Sequence, residues 1–244
     1  MKECNIVKQS PLAGLAAYGG GAGSVIFGRK GVGGYQIERS LRFNSADNTY
    51  LSRTPSSATN RRTFTFSAWV KKAEIISSGD RQIFGSDSSG GGEFNGIAFV
   101  STNALNFRFN DSGGVQIRTT RLFRDPGAWL HIVCAADTTQ STASNRLKIY
   151  VNGVQVTDFS TSTYPSQNAE SSINSTQVHE IGRRAEDGGQ YFNGYLADVH
   201  FIDGTALDPS SFGETNDDGI WDPREFNGSF GTNGFHLKFD DAST

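Results

Sequence analysis

No stretch of about 18 consecutive apolar residues occurs in the 244-residue sequence, so no helix of it would span a bilayer. Cysteine is scarce. Cys4 and Cys134 are too few for the disulfide framework of a small secreted domain. Cys134 lies in the apolar stretch 129–136 and reads as a small core residue, so free thiols and cytoplasmic synthesis are expected. An excess of positive charge is also missing. With 22 Lys and Arg against 25 Asp and Glu, the net charge of -3 leaves no electrostatic footprint for nucleic acid. The pairs Arg61-Arg62, Lys71-Lys72 and Arg183-Arg184 are scattered and read as solvated strand ends.

Catalytic signatures are missing too. There is no Gly-x-Ser-x-Gly elbow, and the glycine run at 19–34 has no Gly-Lys-Ser/Thr to cradle phosphate. His131, His179, His200 and His236 have no metal spacing and no obvious carboxylate partner, so no metal site is expected. His131 and His200, set among apolar neighbours, read as packing or surface residues. A sustained helical period, an internal repeat and heptads are all absent.

What the sequence does hold is aromatic and glycine-rich. Phe 18, Tyr 7 and Trp 3 stand against Met 1, a balance suited to half-buried strands. Glycine, 29 of 244 residues, is about 12%, well above the usual ~7%, as many tight turns require.

Residues 1–38 differ from the rest, with glycines at 14, 19–21, 23, 28, 31, 33 and 34. Such a segment holds no core alone. Leu12, Leu15, Tyr18, Val25, Ile26, Phe27 and Tyr35 are nevertheless apolar enough to dock, so an assembly arm ordered against a partner subunit is expected, with a disordered tail as the alternative. A secretory signal competes for residues 12–18, but that stretch is short and dissolves into glycine.

From residue 40 onward the period is two. Leu105, Phe107 and Phe109 alternate with Asn106, Arg108 and Asn110; Phe235, Leu237 and Phe239 alternate with His236, Lys238 and Asp240. Phe64, Phe66, Ala68 and Val70 share one parity. Alternation of this kind buries one strand face and wets the other. Asn-Gly falls at 95, 152, 193, 227 and 233, and Asp-Gly at 187, 203 and 218. Residues 147–156 read as a hairpin turning on Asn152-Gly153. A short helical turn is expected near Pro209-Ser-Ser-Phe212. The expected fold is all-β: a two-sheet antiparallel β-sandwich over 39–244 behind an irregular arm over 1–38.

The order of the segments 64–70, 129–133, 147–153, 181–182 and 192–207 resembles the laminin-G/pentraxin-type branch of the concanavalin A-like lectin and glucanase superfamily. Residues 34–55 and 201–215 resemble LamG-type proteins of tailed bacteriophages. The resemblance implies a jelly roll in a virion structural protein, made in the host cytoplasm, with the strand around Leu41–Phe43 near the strand around Phe235–Phe239. It also implies a homo-oligomer whose arm meets other virion subunits. Glucanases of this fold carry Glu-x-Asp-x-x-Glu, which is absent here, so catalysis is not expected.

The expected function is a fibre- or adhesin-type surface protein that binds host-surface glycans; the alternative is a capsid decoration or head-fibre protein that binds only virion subunits. Asp87, Asn95, Asn110, Asp111 and Tyr191 flank turns and are the candidate carbohydrate-binding residues. Trp221, in a loop, is a candidate assembly anchor, with local packing as the alternative; Trp69 and Trp129 read as core. No cofactor is required, although loops 87–93 and 214–218 offer oxygen ligands for a structural calcium without a fixed calcium spacing.

Overall fold

The period-two segments fold as strands in the computed structural model, which describes residues 5–6, 34–86, 95–109, 114–184 and 188–240. In chain order the strands are β1 (Asn5–Ile6), β2 (Leu41–Phe43), β3 (Leu51–Arg53), β4 (Thr63–Lys72), β5 (Arg81–Ser86) and β6 (Asn95–Phe99). Then come β7 (Ala104–Arg108), β8 (Gln116–Leu122), β9 (Trp129–Asp137), β10 (Leu147–Val151), β11 (Val154–Gln155) and β12 (Phe159–Thr163). β13 (His179–Ile181), β14 (Gly194–Asp203), β15 (Gly213–Thr215), β16 (Trp221–Pro223) and β17 (Phe235–Leu237) complete the set.

Two antiparallel sheets form the sandwich. The eight-stranded sheet runs β1-β3-β13-β5-β6-β7-β8-β12, and the seven-stranded sheet runs β11-β10-β9-β4-β14-β17 with β2 also on β14. As expected, both ends of the domain share one edge: Leu41–Phe43 pairs with 194–196 of β14, and Phe235–Leu237 with 199–201. The β10–β11 hairpin turns on Asn152 (φ 50) and Gly153 (φ 79), the two left-handed positions of a type I′ turn. Pro209–Ser211 is a 3-10 turn capped by Asp208, where a short helical turn was expected.

The inner faces meet in one aromatic core. Phe66 of β4 stacks on Phe84 of β5 at 4.8 Å across the two sheets, and Phe64 stacks on Phe109 at 6.3 Å. Each such fully buried ring contributes roughly 1.5–3 kcal/mol of transfer free energy. Cys134 is buried in this core, and burial pushes its thiol far above the ordinary range.

The seven-stranded sheet departs from simple alternation because its outer face is covered as well. Along β4 the outward Thr65, Ser67 and Trp69 are as buried as the inward Phe64 and Phe66. Phe212, Phe226 and Phe230 from the segment after β14 cover Val133 and Ile202. Tyr35, Ile37 and Trp221 pack against Trp69 and Ala197. Trp69 is therefore core, but of this second cluster, with Trp129 partly buried beside it. Tyr35 and Ile37, which the boundary at 38 assigns to the arm, belong to the sandwich.

Two basic pairs correct the reading as solvated strand ends. Lys72 shares the inward parity of Phe66 and Val70, so its Nζ is buried, donates to Asn103 Oδ1 at 2.8 Å, and is lowered by burial to about 8. Arg183 is held by Glu180, as described below. Arg61 and Arg62 do lie near the surface, both on Glu170 at 3.0 Å.

Candidate functional site

The outer face of the eight-stranded sheet carries polar groups in rows, because the alternate residues of β5–β8 fill the inner core. Pairing aligns Gln82, Ala98, Asn106 and Arg118 in one row. The next row holds Glu180, Gly85, Gly96, Arg108 and Gln116. With two glycines in it, the second row leaves space between Glu180 and Arg108, and the Gln82 amide lies over it. A Cβ on Gly96 would stand 2.7 Å from Gln82 Nε2.

Gln82 and Asn106 form a covered layer, both fully buried. Gln82 Nε2 donates to Phe84 O at 2.5 Å, while its Oε1 has no partner among the described residues. The Asn106 amide oxygen accepts from Arg108 Nε at 2.9 Å in the orientation that satisfies both amide ends, and its nitrogen donates to Gln116 Oε1 at 3.2 Å. Arg118 donates to the same Gln116 oxygen at 3.2 Å. Arg108 also reaches Asp80 Oδ2 at 3.3 Å. The half-buried Arg108, Gln116 and Arg118 are thus held in place from below, with planar donors at the surface.

Across the glycine gap, Arg183 makes a bidentate pair with the buried Glu180 at 2.5 and 2.6 Å. The hydrogen bonds Arg183 gives to Glu180 outweigh burial and raise Arg183 further above its usual value. The Arg183 guanidinium lies over the Tyr50 ring at 3.5 Å and donates to the Tyr191 hydroxyl at 3.4 Å. Tyr50 and Tyr191 meet edge to face at 6.4 Å. Tyr191 is therefore on this face.

The other sequence candidates fare differently. Asn95 is fully buried, which corrects its assignment: it shares the inward parity of Ile97 and Phe99 and accepts from Ser171 at 3.4 Å inside the sandwich. Asp87, Asn110 and Asp111 lie outside the described residues, as do Leu12, Leu15, Tyr18, Val25, Ile26, Phe27 and loop 87–93. Loop 214–218 folds as a turn between β15 and β16, with Asn216 Oδ1 accepting from the backbone of Asp218 and Ile220. Trp221 lies in a strand rather than a loop and is packed locally. It belongs to β16, packs over Gly153 and Gly213, and donates to His131 Nδ1 at 3.0 Å.

The sequence expectations did not include the two rows that hold Gln82, Arg108, Gln116 and Arg118. The signal was present in the alternation of Leu105, Phe107 and Phe109 with Asn106 and Arg108, whose polar members must share a face. The histidines also require correction, since two of them do meet a carboxylate. His236 Nε2 lies 2.6 Å from Asp198 Oδ1 and His200 Nε2 3.9 Å from it. A bulge between Ala197 and His200 makes Asp198 the extra residue, at φ 50, and turns its side chain toward both rings. Burial alone would raise Asp198, but His236, His200 and the Tyr35 hydroxyl together hold it below its usual range. Burial lowers His200 to about 4, so it is neutral at pH 7.

A two-sheet antiparallel sandwich bearing rows of planar polar groups on one sheet defines a lectin-like domain. Residues 44–211 match the Laminin_G_3 family model, described as the concanavalin A-like lectin/glucanases superfamily, and the chain belongs to that family. Among solved structures, Trypanosoma rangeli sialidase is similar at 12% identity and a TM-score of 0.50, over 72% of this chain and 27% of the sialidase chain. A heptameric SAP-like pentraxin from Limulus polyphemus is similar at 18% identity, over 69% of this chain and 76% of its own, with a TM-score of 0.48. The botulinum neurotoxin serotype G binding domain is similar at 13% identity, over 70% of this chain and 40% of its own, with a TM-score of 0.49. At these identities the likeness bears on the fold alone. No curated protein matches the chain.

Proposed function

We propose that the chain is a non-enzymatic surface protein of a tailed-phage virion, whose sandwich binds host-surface glycans on the outer face of the eight-stranded sheet. The observation that carries the binding reading is the surface cluster of Arg108, Gln116 and Arg118, drawn from the two adjacent rows, with Tyr191 and Tyr50 beyond it. Guanidinium and amide planes offer paired donors that match vicinal hydroxyls or a sugar carboxylate, and aromatic rings offer a flat apolar face. The hydrogen bonds beneath these groups reduce the ordering cost of binding. The family's lectin and glucanase description points the same way.

The virion role is supported by the resemblance of residues 34–55 and 201–215 to phage LamG-type proteins. One weak site suffices on a particle, where many copies raise avidity by ~10²–10⁴. The absence of catalysis is supported by the engagement of the face's carboxylates: Glu180 is bidentate with Arg183, and Asp80 meets Arg108. A retaining glycosidase would require two carboxylates free to act about 5 Å apart.

A glycan array with the purified full chain tests the reading. Binding is expected, and it should fall at least tenfold in Arg108→Ala/Arg118→Ala while Tyr195→Ala, on the other sheet, binds normally. Failure to bind any glycan would overturn this reading in favour of a decoration protein that contacts only virion subunits.

A further inference from the structure

On the covered face of the seven-stranded sheet, in the other sheet from the polar rows, three elements converge on one carboxylate. Asp198 stands at the bulge of β14; His200 follows two residues later; His236 of β17 is the residue directly opposite His200 in the ladder. One ligand atom from each lies within 4.8 Å of the others. Tyr35, from the segment before β2, donates its hydroxyl to Asp198 Oδ1 at 2.8 Å.

The decisive detail is the tautomer of His200. Its Nδ1 lies 3.0 Å from the backbone oxygen of Asp198, a partner that can only accept, so the proton sits on Nδ1. The lone pair is then on Nε2, buried, and without a hydrogen-bond partner among the described residues. Burying such an acceptor unsatisfied is costly. An imidazole whose far nitrogen is fixed by a backbone carbonyl, with the near nitrogen bare, is the arrangement in which histidine ligates metals.

We propose that Asp198, His200 and His236 form a binding site for a divalent transition-metal ion of the zinc class. Two imidazoles and one carboxylate suit zinc, copper or nickel rather than calcium or magnesium. Tyr35 would hold Asp198 from outside the coordination sphere. The His236 side chain, 17% exposed, provides the entry path and leaves a position for water. The His200 and His236 rings stack at 3.9 Å and 19°, and His236 Nε2 donates to Asp198 Oδ1 at 2.6 Å. Ligation requires that the His236 ring turn out of the stack and that its proton pass to Nδ1. His200 stays fixed. A bound ion would join Tyr35 near the start of the sandwich, the central strand β14, and the C-terminal strand β17.

The test uses the untagged full chain, stripped with chelator and titrated with Zn²⁺, with Ca²⁺ as the control. One zinc per chain is expected. At about a hundredfold excess over Kd, Tm should rise by roughly 5–10 °C. Co²⁺ in place of zinc should give visible d–d absorption, and His236→Gln, altered at the most exposed ligand, should bind at least tenfold more weakly. If that variant misfolds, perturbation of the His200 and His236 imidazole resonances of the unmodified chain by Zn²⁺ decides. No zinc-dependent shift, an equal shift with Ca²⁺, or a shift retained in folded His236→Gln would overturn the proposal.

Discussion

The indole nitrogen of Trp221 donates to Nδ1 of His131 across 90 residues of sequence. An indole N–H only donates, so the imidazole proton must lie on Nε2, where it is given to Ser67 Oγ at 2.9 Å. Ser67 and His131 therefore form no catalytic dyad, since Nε2 has no lone pair with which to take the serine proton. Trp221→Phe keeps the packing but orphans a buried acceptor. The expected cost is about 1–3 kcal/mol, read as a Tm lower by roughly 3–8 °C in calorimetry.

Buried neutral histidines make stability depend on acid. Burial lowers His131 to about 3 and His179 to about 4. Both are protonated far more readily when unfolded, at about 6.5. The unfolded chain thus binds more protons below that value, and stability falls as pH drops from about 6.5 toward 4 and then 3. Between pH 7 and pH 5 each group should remove about 2 kcal/mol, which urea titrations at the two pH values would show.

Gly96 faces Gly85 with φ +151, and a Cβ there would lie 2.2 Å from Phe84 O. The obstruction is backbone, so it cannot move aside cheaply. Gly96→Ala should destabilise the fold by about 3 kcal/mol or more and disturb the polar rows. Denaturant midpoints and glycan binding should fall together.

Phe66 bridges the two sheets through its stack on Phe84. Phe66→Ala should cost about 3–5 kcal/mol by creating a cavity between the sheets, measured as a lower urea midpoint with little change in m.

Much of this was legible in the sequence, and the failures share a cause. The parity of Phe64, Phe66, Ala68 and Val70 gave the inner face of β4 correctly, and Asn152-Gly153 gave the β10–β11 hairpin. The same parity would have placed Asn95 inside with Ile97 and Phe99, and Lys72 inside with Val70, had closeness to a turn or a charge not been weighed above it. Other features depend on contacts between distant segments. The bulge at Asp198 shifts the pairing by one residue with no local marker, and the cover of Phe212, Phe226 and Phe230 over Ile202 is set by the path of the chain after β14.

Under the proposed function a glycan lies on the polar rows of β5 to β8. The most direct test of this is an NMR titration of the full chain with an array-selected glycan, following backbone amides and guanidinium resonances. Perturbations should cluster at Arg108, Gln116, Arg118 and Tyr191. Perturbations confined to Trp129 and Tyr195 on the opposite sheet, or none at saturating glycan, would contradict it.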